Sequence, residues 1–420
     1  MVTTTRRSFN RLSMLAPAAA LMGRTAWAAD GPVRIGSPYP LSGNAASAGQ
    51  AAKAAIEVAV DIINNPHPEL AKLPLAAGSG LPGLGGRKVE VVFADHQGNP
   101  ATAQSETLRL ITQDKVVALA GAYQSSCTLT ASAVAERYGI PFMAPESSSP
   151  NLTERGFKWF FRTTPVGTDF GAAYAGFLAE LGTKGQSVGD IAIVNENTEY
   201  GSSTADAIAT AVTAKGLKVA LRIPYNANST DVSSQVLQLK SANPGVAVFV
   251  SYTSDSILFV KTMRNLDYRP PILIGDDSGF SDNAFIDAVG ELAQGAINRS
   301  SFDAGKPGSV PFLVNQMVRA HAGRDLDDTS ARGMQGFLAL MEAIDRAAST
   351  EPAKIQAALR SQALAPDQLM IGYNGVKYDD KGQNQLASTL LVQLVGKKYV
   401  AVWPERSAVQ SLALPYKGWG

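Results

Sequence analysis

Val33-Arg34-Ile35-Gly36-Ser37-Pro38-Tyr39-Pro40-Leu41-Ser42-Gly43 decides how this chain is read. Residues 33–37 are a short β-type run stopped by Pro38, and a loop of small and hydroxyl-bearing residues follows. Residues 45–64 are then alanine-rich and amphipathic and end in Asn64-Asn65-Pro66, a helix stop. Strand, loop and helix in that order make the first unit of a parallel sheet, whose strands need long crossovers.

The alternation continues outward from this unit. Strand-like runs at 88–94, 116–120 and 141–144 are separated by helix-like stretches at 100–113 and 126–138. A second series starts after Arg162-Thr163-Thr164-Pro165, with strands at 190–195, 219–224, 246–251 and 271–275. Its helices fall at 168–181, 200–215, 230–242 and 254–266. Two series of comparable length predict an α/β protein of two Rossmann-like lobes, each a parallel sheet with helices on both faces. Further helices are expected at 330–349 and 354–360, and 390–395 with 398–402 reads as a hairpin. The Pro- and Gly-rich stretch 66–86 reads as an exposed loop, and its glycines lack the Gly-x-Gly-x-x-Gly spacing.

Composition narrows the function. A chain of 420 residues with 45% hydrophobic and 17% charged residues is globular and long enough for two domains. Arg6, Arg7, Arg11 and Arg24 all lie near the start, so the formal charge of +1 falls to about −3 without them. A slightly acidic body gives nucleic acid no footprint, and no nucleic-acid partner is expected. Cys127 is the one cysteine, so no disulfide can form within the chain, and it reads as a small packing side chain rather than a nucleophile. His67, His96 and His321 lack metal-ligand spacing, and neither metal nor cofactor is expected.

Residues 1–28 read as a signal peptide: Arg6-Arg7, an apolar stretch at 12–22, then Ala26-Trp27-Ala28 before the cut. Thr5-Arg6-Arg7-Ser8-Phe9-Asn10 resembles the twin-arginine motif, although ordinary secretory signals carry paired arginines too. Cleavage is expected after Ala28, with Ala29 the other candidate. The expected location is the periplasm, and the expected state is a soluble monomer.

Ligands of open α/β sheets gather beyond the carboxyl ends of the strands, where free backbone N–H groups are presented. The loops there read Pro-Leu-Ser-Gly, Gly-Ala-Tyr-Gln-Ser-Ser, Pro-Glu-Ser-Ser-Ser, Asn-Thr-Glu-Tyr-Gly, Tyr-Thr-Ser-Asp and Asp-Asp-Ser-Gly. Hydroxyls and carboxylates so clustered suit hydrogen bonding to a small ligand.

At these loops the sequence resembles the branched-chain amino-acid (Leu/Ile/Val) binding protein family of ABC importers, with the type I periplasmic binding fold. The resemblance begins at the opening strand and its Pro-x-Ser-Gly loop. It runs through Gly121-Ala122-Tyr123-Gln124-Ser125-Ser126, Gly139-Ile140-Pro141-Phe142, Asn197-Thr198-Glu199-Tyr200-Gly201 and Gly275-Asp276-Asp277. It covers roughly residues 33–400, in order. It implies three crossings between lobes, near Thr163, Arg299 and Ile371, which act as hinge strands for closure on a ligand. Lobe 1 would then hold 29–162 and 301–371, lobe 2 would hold 163–300 and 372–405, and 406–420 would be a C-terminal tail.

The resemblance also implies site roles. Ser125 and Ser126, with Ser147 and Ser148, fall where the family grips a ligand carboxylate, and Ser125 opening a helix agrees physically. The other reading of Ser125 is a plain helix N-cap. Glu146 stands at a usually small position, pointing either into the cleft or to solvent. Tyr252 and Asp277 match positions that close over the ligand and bind its ammonium, each contact worth about 1–3 kcal/mol when desolvated. Asp276 is the alternative to Asp277. Tyr200 recurs near hinge and cleft. Ala48 replaces a common aromatic, and Tyr123 or Tyr39 would fill that space. Arg332, if it faces the cleft, would admit a second carboxylate.

The function so implied is capture of an amino acid or related small carboxylate, handed to an inner-membrane ABC permease complex. The alternative is an aromatic acid, an amide or a urea-like compound, and more distant readings are a non-transport sensor or an exported enzyme. No enzyme activity is expected, because no Gly-x-Ser-x-Gly elbow, Walker loop or histidine beside a serine motif occurs.

Overall fold

The computed structural model describes residues 31–276 and 278–419, so the signal peptide assigned to 1–28 lies outside the described residues. The chain alternates strand and helix as the pattern predicts. The strands are β1 (Val33–Tyr39), β2 (Val89–Asp95), β3 (Ala118–Ala120), β4 (Phe142–Ala144), β5 (Phe160–Arg162), β6 (Ile191–Glu196) and β7 (Val219–Tyr225). They continue with β8 (Val246–Val250), β9 (Ile272–Gly275), β10 (Ile297–Ser300), β11 (Ala363–Leu364), β12 (Val376–Lys377), β13 (Leu390–Val395) and β14 (Lys398–Trp403). The helices are α1 (Ala46–Asn64), α2 (Pro100–Thr112), α3 (Ser125–Tyr138), α4 (Gly167–Thr183), α5 (Glu199–Ala214) and α6 (Ser233–Ala242). After them come α7 (Thr253–Asn265), α8 (Ser278–Ser281), α9 (Asn283–Val289), α10 (Val310–Ala322), α11 (Asp328–Ala347) and α12 (Pro352–Arg360).

One sheet has the order β2-β1-β3-β4-β5 and is parallel throughout. The other runs β7-β6-β8-β9-β10, the same order again, and is extended by the antiparallel hairpin β13–β14. The two lobes are thus topological copies of one doubly wound unit. In both, the strand order reverses direction beside the first strand of the unit. Loops on either side of that switch point diverge and leave a crevice at the carboxyl ends.

The local causes are ordinary ones. β6 is buried along its whole length because helices cover both faces, so Ile191-Ala192-Ile193-Val194 reads as a continuous apolar run. Asn99 caps α2 by accepting from the Ala101 and Thr102 N–H groups, and Pro100 occupies the first turn. α1 buries a small-residue face including Ala48, Ala52, Ala55 and Ala59, which lets α11 pack close. α10 and α11 follow β10 in sequence yet pack on α1, with α12 against α11, so the chain returns to the first sheet after completing the parallel part of the second.

Residues 66–86 are not the exposed loop that their Pro and Gly content suggests. Leu70, Leu73, Ala76 and Leu81 are buried against the α1 side of the core, and the Gly83 N–H reaches the Asp345 carboxylate on α11 at 2.7 Å. The apolar residues decide the packing, while the turn residues only shape the path. β5, β10, α9 and α10 also went unread in the sequence.

Three crossing segments join the lobes and are bound to one another. The Asn384 side chain donates to the Thr163 carbonyl at 3.1 Å, and the Asn384 N–H to that of Arg162 at 2.9 Å. Ser301 Oγ donates to the Ser388 carbonyl at 2.8 Å, and Gly372 N–H to the Ser301 carbonyl at 2.8 Å. Arg162, fully buried, donates to Gln383 Oε1 at 2.6 Å, to the Ser149 carbonyl at 2.6 Å and to Thr153 Oγ1 at 3.0 Å.

Two predictions follow from this packing. Arg162→Ala orphans several buried acceptors and should lower unfolding stability by about 2–5 kcal/mol, measured by chemical denaturation; a loss under about 1 kcal/mol would contradict the network's role. Cys127, on the buried face of α3, is fully enclosed, and burial pushes its thiol up to about 12. An alkylating reagent at mildly alkaline pH should therefore label it readily in denaturant and barely in the native protein. Equal rates would contradict the packing.

Candidate functional site

The switch points of the two lobes face each other. From the first lobe come the loops after β1, β3 and β4; from the second come those after β6, β8 and β9. Tyr123, Tyr252 and Tyr200 meet there as a run of rings: Tyr123 to Tyr252 is 5.7 Å between centroids, and Tyr200 to Tyr252 is 5.2 Å. The first contact joins the two lobes, and all three rings are buried.

The serine loops are built from within the first lobe. α3 begins at Ser125, with Gln124 as its N-cap, so Ser125 is the first helical residue rather than the cap. The Ser125 hydroxyl accepts the Ser149 N–H at 3.3 Å, which leaves its own proton for another acceptor. Ser147 Oγ donates to the Tyr123 carbonyl at 2.8 Å, so Thr128 Oγ1 must be the donor in its 2.6 Å bond to Ser147. Thr128 Oγ1 in turn accepts the Ala122 N–H at 3.0 Å. These bonds hold Tyr123 at a φ of +69°, a left-handed conformation that a bulky residue adopts only when its surroundings enforce it. Ser147 thus shapes the loop, Ser148 is buried beside it, and Ser126 is half-buried on α3.

Burial, with the Glu196 carboxylate adding to it, raises the Tyr252 phenol well above its usual value; the Ser125 N–H, directed at the hydroxyl, works the other way. The Tyr252 hydroxyl therefore stands at the start of α3, where the helix dipole favours negative charge.

Glu146 does not face solvent. It is buried, and its Oε1 accepts the Tyr39 hydroxyl at 2.7 Å. Gly333 on α11 makes room for it, since a Cβ there would lie 2.5 Å from that carboxylate oxygen. Arg332 is fully buried, pairs with Asp328 at 2.9 Å, and donates to the Glu146 carbonyl and Thr164 Oγ1 at 3.0 Å each. It braces the loop and the crossing.

In the second lobe Tyr200 opens α5 just after β6. Glu196 accepts the Gly201 N–H at 2.6 Å, and a Cβ on Gly201 would lie 2.1 Å from the Glu196 carbonyl, so the Glu-Tyr-Gly turn needs its glycine. Asp277 lies outside the described residues. The Asp276 carboxylate is committed, accepting the Tyr174 hydroxyl at 2.7 Å, the Tyr200 hydroxyl at 2.8 Å and Arg299 Nε at 3.1 Å.

Sequence reasoning missed the polar links at the cleft rim. Glu199 accepts Ser149 Oγ at 2.6 Å and Asn151 Nδ2 at 2.9 Å, and Asp282 accepts Ser47 Oγ at 2.9 Å. Asp282 was readable as a helix cap, since it caps α9 through the Ala284 N–H. That it also reaches α1 depends on tertiary placement alone.

Comparison with known proteins agrees with this architecture. Residues 32–398 match the family model described as periplasmic binding protein. A Leu/Ile/Val-binding protein homolog of Brucella suis is 30% identical over 419 residues, covering 96% of this chain and 99% of the relative. Among solved structures, the branched-chain amino acid transporter substrate binding protein of Streptococcus pneumoniae, in complex with isoleucine, superposes with a TM-score of 0.74 at 20% identity, covering 88% of this chain and 98% of that one. An ABC transporter solute binding protein of R. palustris in complex with benzoate gives a TM-score of 0.74 at 18% identity, covering 92% and 98%. The fold, the facing switch points and these matches agree: the chain belongs to the periplasmic binding protein family.

Proposed function

We propose that this protein is the substrate-binding component of an ABC importer, capturing an amino acid or related small carboxylate between its lobes without chemistry on it. The carrying observation is the convergence of Ser125, at the start of α3, with Tyr252 and Tyr200 from the opposite lobe. In this reading, opening of the hinge withdraws the Tyr252 hydroxyl and frees the Ser125 N–H and hydroxyl for a ligand carboxylate. Closure then returns Tyr252 and Tyr200 as a lid that excludes water and strengthens those bonds. The closed form is what an inner-membrane permease would recognise, and residues 1–28 would export the protein to the periplasm.

A second reading is an aromatic acid without an amine. The run of three tyrosine rings favours it, and so does the commitment of the Asp276 carboxylate to Tyr174, Tyr200 and Arg299. Benzoate in the R. palustris relative supports the same class.

The test is a thermal-shift screen of amino acids, aromatic acids, dicarboxylates, amides and urea, followed by affinity measurement on the hit. A ligand at 100 times its Kd stabilises the fold by about 2.7 kcal/mol. Ser125→Ala and Tyr252→Ala should each weaken binding several-fold while the protein stays folded. Unchanged affinity in both would place the ligand elsewhere. Hits confined to the aromatic acids would decide for the second reading.

A further inference from the structure

The lobes also enclose a cavity of about 450 Å³, a volume suited to a small organic ligand. It takes no residue from the loops after β1, β3, β6 or β8. α9, β10 and the β13–β14 hairpin form its second-lobe wall, and α10 with the turn before α11 forms the other. Ile286, Phe302, Phe312 and Tyr399 give it an apolar lining.

Its buried charges are paired except in one place among the described residues. Arg319 pairs with Asp325 at 2.6 Å, Arg299 with Asp276 at 3.1 Å, and Arg332 with Asp328 at 2.9 Å. Lys397, Lys398 and Asp303 are exposed at the rim. Asp327 is the exception: it lines the cavity at 7% exposure, and its Oδ1 caps α11 through the Ser330 N–H at 2.8 Å. Among the described residues its Oδ2 accepts no hydrogen bond, and Asp327 makes no ion pair. Asp282 of the opposite lobe, which does not line the cavity, is held by Ser47 and Thr253 hydroxyls at 2.9 Å each and acts on Asp327 by its charge. Burial, and then the charge of Asp282, push the Asp327 carboxyl above the usual carboxylate range. A buried carboxylate without a cation beside it is costly.

We propose that this cavity is a second ligand site for a small organic ammonium compound, its nitrogen on Asp327 and its apolar body against Phe302, Phe312 and Ile286. The site does not rest on the reading of the tyrosine cleft. Because both lobes line it, its occupant ties them together and is coupled to whatever binds in that cleft.

The test is calorimetric titration of 2-phenylethylammonium at neutral pH into residues 29–420, with 2-phenylethanol as the uncharged control. The ammonium compound should bind at least about tenfold more tightly than the alcohol. Asp327→Asn, which preserves the helix cap, should lose at least about tenfold, while Ser125→Ala should retain full affinity for this probe. Phe312→Ala, which leaves the cap untouched, should weaken both probes. Absence of binding at millimolar concentration, equal binding by Asp327→Asn, or loss in Ser125→Ala but not in Asp327→Asn would each overturn the proposal.

Discussion

A chain that crosses three times between two sheets must bury irregular backbone, and buried backbone must find partners. Three arginines with no solvent exposure answer that need here: Arg162, Arg299 and Arg332. Each joins a crossing to a cleft loop. Arg162 holds the Ser147 and Ser149 carbonyls, Arg332 holds the Glu146 carbonyl together with Thr164, and Arg299 on β10 holds Asp276 after β9. A guanidinium suits this work because its planar fork offers five donors while staying charged. Burial pulls Arg162 down to about 9, which still leaves it protonated at neutral pH. The loops that form the candidate site are therefore tied to the segments that join the lobes.

The repeated strand order explains where the site lies. A doubly wound sheet has one crevice, at its switch point, and two copies set face to face bring two crevices together. Tyr123 and Ser125 come from the first, Tyr200 and Tyr252 from the second. Polar rim contacts, Ser149 and Asn151 with Glu199 on one side and Ser47 with Asp282 on another, bridge the same gap. Such contacts are individually modest, and an equilibrium held by them can be shifted by one ligand.

Long elements with a clear period were legible in the sequence to within a residue or two, α1, α11 and β6 among them. β5 and β10, Phe160–Arg162 and Ile297–Ser300, went unread, whereas the equally short β3, β4 and β9 were read from the turn residues that bound them. The turn-rich segment 66–86 misled because Gly and Pro mark the path of a chain and not its burial. At the site, family resemblance pointed to the loops and to Ser125, Tyr200 and Tyr252, which the fold brings together. The fates of Glu146 and Arg332 were unreadable, since each depends on a partner far away in sequence: Tyr39 for Glu146, and the Glu146 carbonyl for Arg332. Asp282 and Glu199 were hidden for the same reason.

The central claim is that the lobes close on a ligand held between them, and interlobe distance tests it most directly. Spin labels at Leu108→Cys on α2 and Leu237→Cys on α6, both exposed positions, in a Cys127→Ala background would report that distance by pulsed electron resonance. The account predicts a distribution that narrows and shifts to shorter distance on addition of the ligand found by thermal shift, with Tyr252→Ala blunting the change. An unaltered distribution at saturating ligand would contradict closure.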